Sequence, residues 1–209
     1  TEECVLCITG GRHLLQERCV ESFIPNDTSM GAGREGPVKL LTGPNASGKS
    51  VYLKQVGVIA YLAHLGCFVP AEAATIGLLD GIFTRITSRE TSALAKSSFL
   101  IDLSQLSSML RFATPRSLLL VDEFGKGTTP LDGAALLGAA IEHLMERRHL
   151  SIIVTHFVEI LDAGVLAEGP IEHLQMEFLV QQDPQHHDKL VFLYKLTRCG
   201  ASGSHGFEC

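Results

Sequence analysis

The stretch of this sequence best suited to chemistry reads GPNASGKS and covers residues 43–50. It fits the pattern G-x-x-x-x-G-K-[ST], in which glycines let successive backbone N–H groups turn toward phosphate oxygens. The lysine supplies a positive charge for the β- and γ-phosphates, and the last serine hydroxyl can ligate Mg²⁺. A chance Gly/Ser turn is the alternative, but a strand is predicted before the stretch and a helix after it. The stretch therefore predicts a loop that binds ATP and Mg²⁺ through Gly43, Pro44, Asn45, Ala46, Ser47, Gly48, Lys49 and Ser50.

A second group of candidates follows two later apolar runs. Asp122 and Glu123 come directly after the run 117–121, at the carboxyl end of a predicted strand, where ligands of open α/β sheets bind. We expect Asp122 to hold Mg²⁺ and Glu123 to accept a proton from the attacking water. An acidic pair is also common in ordinary strand-end loops, and loop 43–50 favours the catalytic interpretation. His156 follows the next predicted strand and could sense the γ-phosphate or orient water, although a single histidine is more often structural.

Alternating strands and helices must position these groups. Apolar runs predict strands over 38–41, 81–86, 117–121 and 151–154. Apolar residues at helical spacing predict helices over 48–64, 98–113 and 133–147, with Asp132 capping the last one. Residues 176–180 and 191–195 alternate like a later antiparallel pair. The expected fold class is α/β, a mainly parallel sheet with helices on both faces and a small antiparallel part.

Composition limits the remaining classes. With 45% apolar and 19% charged residues, the chain is expected to be globular, and no apolar run approaches the roughly 20 residues of a membrane helix. The net charge of −6 predicts that DNA, if bound, is gripped through regions outside this chain. Cys4 and Cys7 form half of a zinc pattern and His186-His187 has no matching partners, so free thiols in a cytosolic or nuclear protein are the better interpretation. The missing initial Met and the Gly/Ser-rich end predict a fragment.

These motifs, with others in the same order along the chain, resemble the MutS family of DNA mismatch-recognition and recombination ATPases, which belongs to the ABC-type class. The shared segments cover nearly the whole chain: GRH at 11–13, FIPND at 23–27, PN at 44–45, GCFVPAE at 66–72, IFTRI at 82–86, SSF at 97–99, DEFGKGT at 122–128, TH at 155–156 and SHG at 204–206. The resemblance implies a P-loop NTPase fold of ABC/MutS type. It implies one ATPase domain over 1–209, comprising an N-terminal edge segment and loop (1–37), a P-loop core (38–165), and C-terminal antiparallel strands with the start of a dimerisation region (166–209).

The resemblance also implies roles for single residues. Phe23 would stack on the adenine of ATP, and Asn45 would help to position the γ-phosphate or the attacking water. Ser97 would reach across a dimer to the partner's γ-phosphate, although a plain helix cap is the alternative for this serine. In the family two ATPase domains pack face to face, so ATP binding implies closure of a dimeric clamp on double-stranded or branched DNA.

Within the family, Ala46-Ser47, Phe124, Lys126 and the segment 51–56 (VYLKQV) most resemble the meiotic MutS homologue five. That branch pairs with MutS homologue four and stabilises recombination junctions during crossover formation, which implies a location in the nucleus. Mismatch-repair members are the alternative, and they usually have Met-Gly at 46–47 and Arg at 126. The stretch 91–96 (TSALAK) lacks the usual glycine, which bears on the expected contact of Ser97.

Other functional classes compete with an ATPase that drives a DNA clamp. A nucleotide-gated module could bind ATP to form a dimer with negligible turnover, but Glu123 favours hydrolysis. Transporters and chromosome-structure ATPases of the ABC class carry LSGGQ before the strand that ends in the acidic pair, whereas residues 92–98 here read SALAKSS. Kinases and GTPases are less favoured still, because the sequence contains no guanine-reading NKxD motif and the gap between Lys49 and Asp122 holds elements that those folds do not need.

Overall fold

The computed structural model describes residues 5–31, 36–86, 98–157, 171–181 and 189–199. In these residues the strands are β1 (Leu6–Gly11), β2 (Asn26–Met30), β3 (Val38–Thr42), β4 (Ala73–Ile76), β5 (Gly81–Arg85), β6 (Ser117–Asp122), β7 (Leu150–Val154), β8 (Ile171–Gln181) and β9 (Lys189–Arg198). The helices are α1 (Lys49–His64), α2 (Ser98–Phe112) and α3 (Pro130–Arg147), with a short 3-10 helix at Gln16–Cys19. None of these helices has the length and apolar character needed to cross a bilayer.

The main sheet has six strands in the order β5-β6-β7-β3-β8-β9. Neighbouring strands are parallel except at the edge, where β9 runs antiparallel to β8. The central strands β3, β6 and β7 are buried at every position, as expected for parallel strands that are covered on both faces. The predicted α/β architecture, a mainly parallel sheet with flanking helices and an antiparallel part, is confirmed.

Two apolar layers lie on opposite faces of this sheet. On one face α1 packs in a cluster that includes Leu118 and Leu120 of β6. On the other face α2 and α3 pack in a cluster that includes Leu119 and Val121 of the same strand. Because successive side chains of a strand point to opposite faces, a strand covered on both faces is a continuous apolar run in the sequence. For this reason the central strands could be located from the sequence.

A separate antiparallel sheet, in the order β2-β1-β4, packs against α1. Its residues Leu6, Ile8 and Met30 are buried in the same apolar cluster as that helix. The prediction of an edge segment and loop over 1–37 therefore missed β1 and β2, and β4 was also missed. The strand β2 reads NDTSM, which is rich in turn-forming residues, and β4 is mostly exposed. Neither strand shows the apolar alternation on which sequence reasoning depends.

The start of α3 differs from the prediction that Asp132 caps it. Thr129 is the N-cap residue, because its hydroxyl oxygen accepts a hydrogen bond from the backbone N–H of Asp132 at 3.3 Å. The same hydroxyl donates to the Asp132 carboxylate at 2.7 Å. Pro130 occupies the first position of the helix, where a missing N–H costs little. The helix thus begins three residues earlier than the apolar pattern indicates.

This first turn of α3 packs closely against the turn that follows β6. A β-carbon at Gly133 would lie 2.8 Å from Cζ of Phe157 and 3.0 Å from the carbonyl oxygen of Gly125. Gly125 itself has a φ angle of +91°, which glycine adopts at little cost. Because no larger side chain fits between these segments, α3 holds the turn that follows Glu123 in place.

Gly133→Ala is expected to lower the free energy of unfolding by about 1–3 kcal/mol, because the added methyl group overpacks this contact. Glycine to alanine within a helix normally raises stability by about 1 kcal/mol, so the sign of the change separates packing from helix propensity. Ala139→Gly, at an exposed position of the same helix, measures the effect of helix propensity alone. Urea denaturation gives the free energy of unfolding of the parent and of both variants. A Gly133→Ala variant that is more stable than the parent would contradict the close contact.

Candidate functional site

Loop 43–50 joins the carboxyl end of β3 to the start of α1, and several of its residues have positive φ angles. The values are +139° at Gly43, +64° at Ala46 and +99° at Gly48. Glycine adopts such angles readily, whereas Ala46 is strained there. No side chain caps the N-terminus of α1, so its first backbone N–H groups remain available to a ligand. The loop therefore presents backbone donors and the positive end of a helix dipole at one place.

The Lys49 side chain lies across the loop from which it starts. Its Nζ atom donates hydrogen bonds to the carbonyl oxygens of Gly43 and Pro44, at 2.7 and 2.9 Å. The same atom is 3.9 Å from Oε1 of Glu123. Burial lowers the pKa of Lys49, although the charges of Glu123 and Asp122 oppose this shift. A buried ammonium group bonded to neutral carbonyls is suited to exchange them for phosphate oxygens.

Ser50 and Asp122 meet between the loop and the end of β6. The Ser50 side chain lies beside the Asp122 carboxylate. Burial raises the pKa of Asp122, which is 3% exposed, although the neighbouring Ser50 hydroxyl opposes this shift. Its Oδ1 atom is buried and lacks a hydrogen-bond partner among the residues that the structure describes. Such an oxygen beside a hydroxyl group fits Mg²⁺, a hard cation that takes oxygen ligands.

The part of the chain that the structure describes contains no cluster of three or more His, Cys, Asp or Glu side chains that could hold a metal ion. The cysteines within it, Cys7, Cys19, Cys67 and Cys199, are free thiols. Cys4 and the His186-His187 pair lie outside the described residues. A Mg²⁺ ion needs only one carboxylate and one hydroxyl from the protein, because water and phosphate oxygens complete its shell.

Glu123 directly follows β6 and adopts a strained backbone conformation with a φ angle of +51°. A non-glycine residue in this region costs about 1–3 kcal/mol and persists only where its surroundings hold it. Its N–H donates to the carbonyl oxygen of Val154 at 2.9 Å. Its Oε2 atom is 2.5 Å from Nζ of Lys126, and its Oε1 atom faces Lys49. The carboxylate of Glu123 thus lies between two ammonium groups, beside loop 43–50.

The parallel register of β3, β7 and β6 brings the ends of these strands to one edge of the sheet. Leu41 lies opposite Val154, and Val154 lies opposite Asp122. His156 follows β7 at this same edge, and its exposed ring packs on Phe157 with ring centroids 4.1 Å apart. Its position agrees with the expected one, and its catalytic role stays a prediction.

A second surface beside the loop is formed by strand β9 and by residues 23–26, which lead into β2. Asn26 is 5% exposed and joins the two, because its Nδ2 atom donates to the carbonyl oxygen of Tyr194 at 2.9 Å. Its Oδ1 atom accepts a hydrogen bond from the N–H of Leu196 at 2.7 Å. The Phe23 ring lies on this segment, with the guanidinium carbon of Arg12 5.4 Å from its centroid. The segment that carries Phe23 is therefore attached to β9.

Tyr194 is the residue at this site that sequence reasoning missed. It lies in a bulge of β9, where the register with β8 shifts between Met176 and Phe178, and it has a φ angle of +54°. A β-carbon on Gly48 would lie 3.2 Å from Cδ1 of Tyr194, so the half-exposed ring borders the loop. Bulges commonly redirect a side chain next to a functional site. In the sequence this tyrosine is one more aromatic residue in an alternating strand, and no signal sets it apart.

The remaining predicted residues are distributed as follows. Asn45 and Ala46 are exposed at the crest of loop 43–50. Ser47 is fully buried, and its Oγ atom lacks a hydrogen-bond partner among the described residues. Ser97 lies outside the described residues, so its expected contact with a partner's phosphate stays a prediction.

Comparisons with known proteins identify the family of this chain. The chain matches the family model of MutS domain V over residues 39–209. It belongs to the MutS family.

Three relatives of this MutS domain illustrate the match. MutS protein homolog 5 of Saccharomyces cerevisiae is 39% identical in an alignment that covers 100% of the chain and 26% of that relative. DNA mismatch repair protein MutS of Thermosynechococcus vestitus is 37% identical over 100% of the chain and 23% of its own length. DNA mismatch repair protein MSH3 of Arabidopsis thaliana is 38% identical over 96% of the chain and 19% of its own length. The MutS domain thus spans about a quarter or less of the length of these relatives.

The resemblance of the motifs to the MutS family is confirmed, including its likeness to MutS protein homolog 5. The identities of 39%, 37% and 38% are nearly equal, so they place the MutS domain in the family without separating its branches. The roles of single residues, including Phe23, Asn45 and His156, stay predictions.

Asp122→Asn is expected to raise the free energy of unfolding in Mg²⁺-free buffer at pH 7 by about 1 kcal/mol, a gain typical of relieving a strained functional site. The raised pKa means that the ionised carboxylate is disfavoured in the folded state, so removing its charge is stabilising above that pKa. The gain should shrink as the pH falls through the raised pKa, since the parent is then protonated too.

Asp80→Asn provides the matched control, because the Asp80 carboxylate contacts Ser117 at the other end of β6. Hydrogen bonds from the hydroxyls of Thr114 and Ser117 lower the pKa of Asp80, so this substitution should be destabilising at pH 7. Urea unfolding of both variants gives the comparison. A loss of stability in Asp122→Asn at pH 7 would show that its carboxylate is not disfavoured by burial.

Proposed function

We propose that this MutS domain binds ATP with Mg²⁺ at loop 43–50 and hydrolyses it, and that turnover drives closure of a MutS-type DNA clamp. The observation that carries this proposal is the meeting of Lys49, Ser50, Asp122 and Glu123 at one edge of the main sheet. Loop donors, an ammonium group, a cation site and a carboxylate are together the parts that phosphoryl transfer requires.

Binding begins with the phosphates. The backbone N–H groups of loop 43–50 and the start of α1 would receive the phosphate oxygens, and Lys49 would exchange the carbonyls of Gly43 and Pro44 for the β- and γ-phosphates. Ser50 and Asp122 would hold Mg²⁺, which when bound neutralises negative charge on the phosphates. The raised pKa of Asp122 supports this role, because a cation favours the ionised form that burial disfavours.

Hydrolysis needs a base beside the γ-phosphate. Glu123 would accept the proton of the attacking water, with Asn45 and His156 positioning the water or the γ-phosphate. Its close pairing with Lys126 must then loosen, because a carboxylate engaged by an ammonium group is a poorer proton acceptor. The strained backbone at Glu123 supports a functional role, since such strain concentrates at active sites.

The base of the nucleotide would be held by aromatic rings. Phe23 and Tyr194 lie on two segments that Asn26 joins, and Tyr194 borders Gly48. Stacking of a base on an aromatic ring contributes about 1–3 kcal/mol. Both residues would therefore raise affinity for ATP without taking part in hydrolysis.

The biological setting proposed is meiotic crossover formation in the nucleus, as a heterodimer with MutS homologue four. The likeness to MutS protein homolog 5 over the whole chain supports it, together with Ala46-Ser47, Phe124 and Lys126. Ser97 would complete the partner's site, and the net charge of −6 is consistent with DNA binding through other regions.

A mismatch-repair role is the second candidate, favoured by the near-equal identity to MutS and MSH3 proteins. Binding of the full-length protein to a four-way DNA junction and to a mismatched duplex, measured at one salt concentration, separates the two candidates. Preference for the junction is the result that the meiotic role requires.

Lys49→Ala is expected to lower affinity for ATP by about 10-fold to 100-fold, because it removes a charged hydrogen bond to the phosphates. Lys189→Ala, which removes an exposed lysine at the start of β9, should keep the parent affinity. Glu123→Gln should retain ATP binding and lower kcat by about 10²-fold to 10⁴-fold, the usual contribution of a general base. Steady-state hydrolysis and equilibrium nucleotide binding give these values. If the parent turns over no faster than Glu123→Gln, the domain is a nucleotide-gated dimerisation module instead.

Tyr194→Ala is expected to weaken ATP binding by about 10-fold or more, whereas Tyr194→Phe keeps the stacking ring and should bind like the parent. Inorganic triphosphate has no base, so both variants should bind it equally well. Tyr61→Ala, at an exposed position of α1, is the matched control for loss of a surface tyrosine. Equal weakening toward ATP and inorganic triphosphate would exclude a role of Tyr194 in holding the base.

A further inference from the structure

A buried arginine connects helix α2 to the end of β6. Arg85 ends β5, and its side chain is 4% exposed. One terminal nitrogen, NH1, donates to the main-chain carbonyl oxygen of Asp122, and the other, NH2, pairs with the carboxylate of Asp102 in α2. The flat guanidinium group makes both bonds in a fixed geometry, which a lysine ammonium cannot reproduce. Arg85 therefore fixes the distance between α2 and the backbone at Asp122.

A second contact attaches the same helix to the other side of the acidic pair. Phe99, in the first turn of α2, packs near Phe124 with ring centroids 6.3 Å apart. Phe124 directly follows Glu123 and is fully buried. Helix α2 is thus connected to the residue before Glu123, which is Asp122, and to the residue after it, which is Phe124. A displacement of α2 must consequently move the backbone that carries the Glu123 carboxylate.

We propose that Arg85 is a positioning residue for hydrolysis, which sets the backbone at Asp122 and Glu123 according to the position of α2. The proposal rests on the proposed function, since it concerns the residues assigned there to the cation and to water activation. Arg85 acts through the main chain and is not expected to contact the nucleotide. It should therefore affect kcat and leave nucleotide binding nearly unchanged.

The test compares Arg85→Lys and Asp102→Asn with the parent in the full chain. Arg85→Lys keeps the buried charge but cannot make both bonds, so kcat should fall on the order of 10-fold to 100-fold, while the Kd for ATP changes by less than about 3-fold. Asp102→Asn should lower kcat as well. The double variant should lose no more activity than Arg85→Lys alone, because both substitutions break one connection.

Lys39→Gln is the matched control. Lys39 is another buried cation of the main sheet, 2% exposed, and it pairs with Glu172 away from β6. Its loss should lower the free energy of unfolding as the Arg85 variant does, but kcat should stay within about 2-fold of the parent. A purely structural role for Arg85 predicts the same behaviour for both variants.

Hydrogen exchange supplies a readout that does not depend on hydrolysis. The Glu123 N–H, bonded to the carbonyl oxygen of Val154 at 2.9 Å, should exchange about 10-fold faster or more in Arg85→Lys and remain unchanged in Lys39→Gln. Unchanged exchange at Glu123, or an unchanged kcat in Arg85→Lys, would overturn the positioning role. If the parent itself hydrolyses no ATP, the proposed function fails, whereas the exchange measurement still decides whether Arg85 positions this backbone.

Discussion

Parallel pairing of β3, β7 and β6 is the constraint on which the candidate site depends. Backbone hydrogen bonds align Leu41, Val154 and Asp122 across the sheet, so the residues that follow all three strands emerge at one edge. A shift of one residue in the pairing of these strands would turn their side chains to the opposite face of the sheet. The polar groups that follow the strands would then no longer meet. The apolar layers on both faces maintain this register by burying alternate residues of the same strands.

Two charged groups at this edge, Lys49 and Asp122, are buried against the preference of their ionised forms, and this has an energetic cost. Burial lowers the pKa of Lys49 and raises that of Asp122, so each group is held in a state that the folded environment disfavours. A strained backbone at Ala46 and Glu123 adds to the cost. At the proposed ATP site, a triphosphate with its cation would offset the two costs of burying charge, so ligand binding would stabilise the domain.

The sequence allowed prediction of those features that depend on local pattern. Continuous apolar runs located β3, β6 and β7, and the spacing of loop 43–50 identified Lys49 and Ser50. Features that depend on distant contacts escaped prediction. Tyr194 reaches the loop only through a bulge in β9, and Arg85 meets Asp102 only after β5 and α2 pack together. The cap at Thr129 was missed for a local reason, since the apolar periodicity of α3 begins after its true start.

The bonds of Asn26 to β9 have a consequence for how the domain forms. Asn26 and Tyr194 are 168 residues apart in the chain, so this connection closes a very long loop. Contacts of such high sequence separation form late, because chain entropy opposes them until other packing brings the ends together. During synthesis, β1, β2 and β4 leave the ribosome long before β9 is made. The surface that carries Phe23 and Tyr194 therefore cannot assemble until β9 has been made, whereas loop 43–50 and the strands β3, β6 and β7 are synthesised earlier.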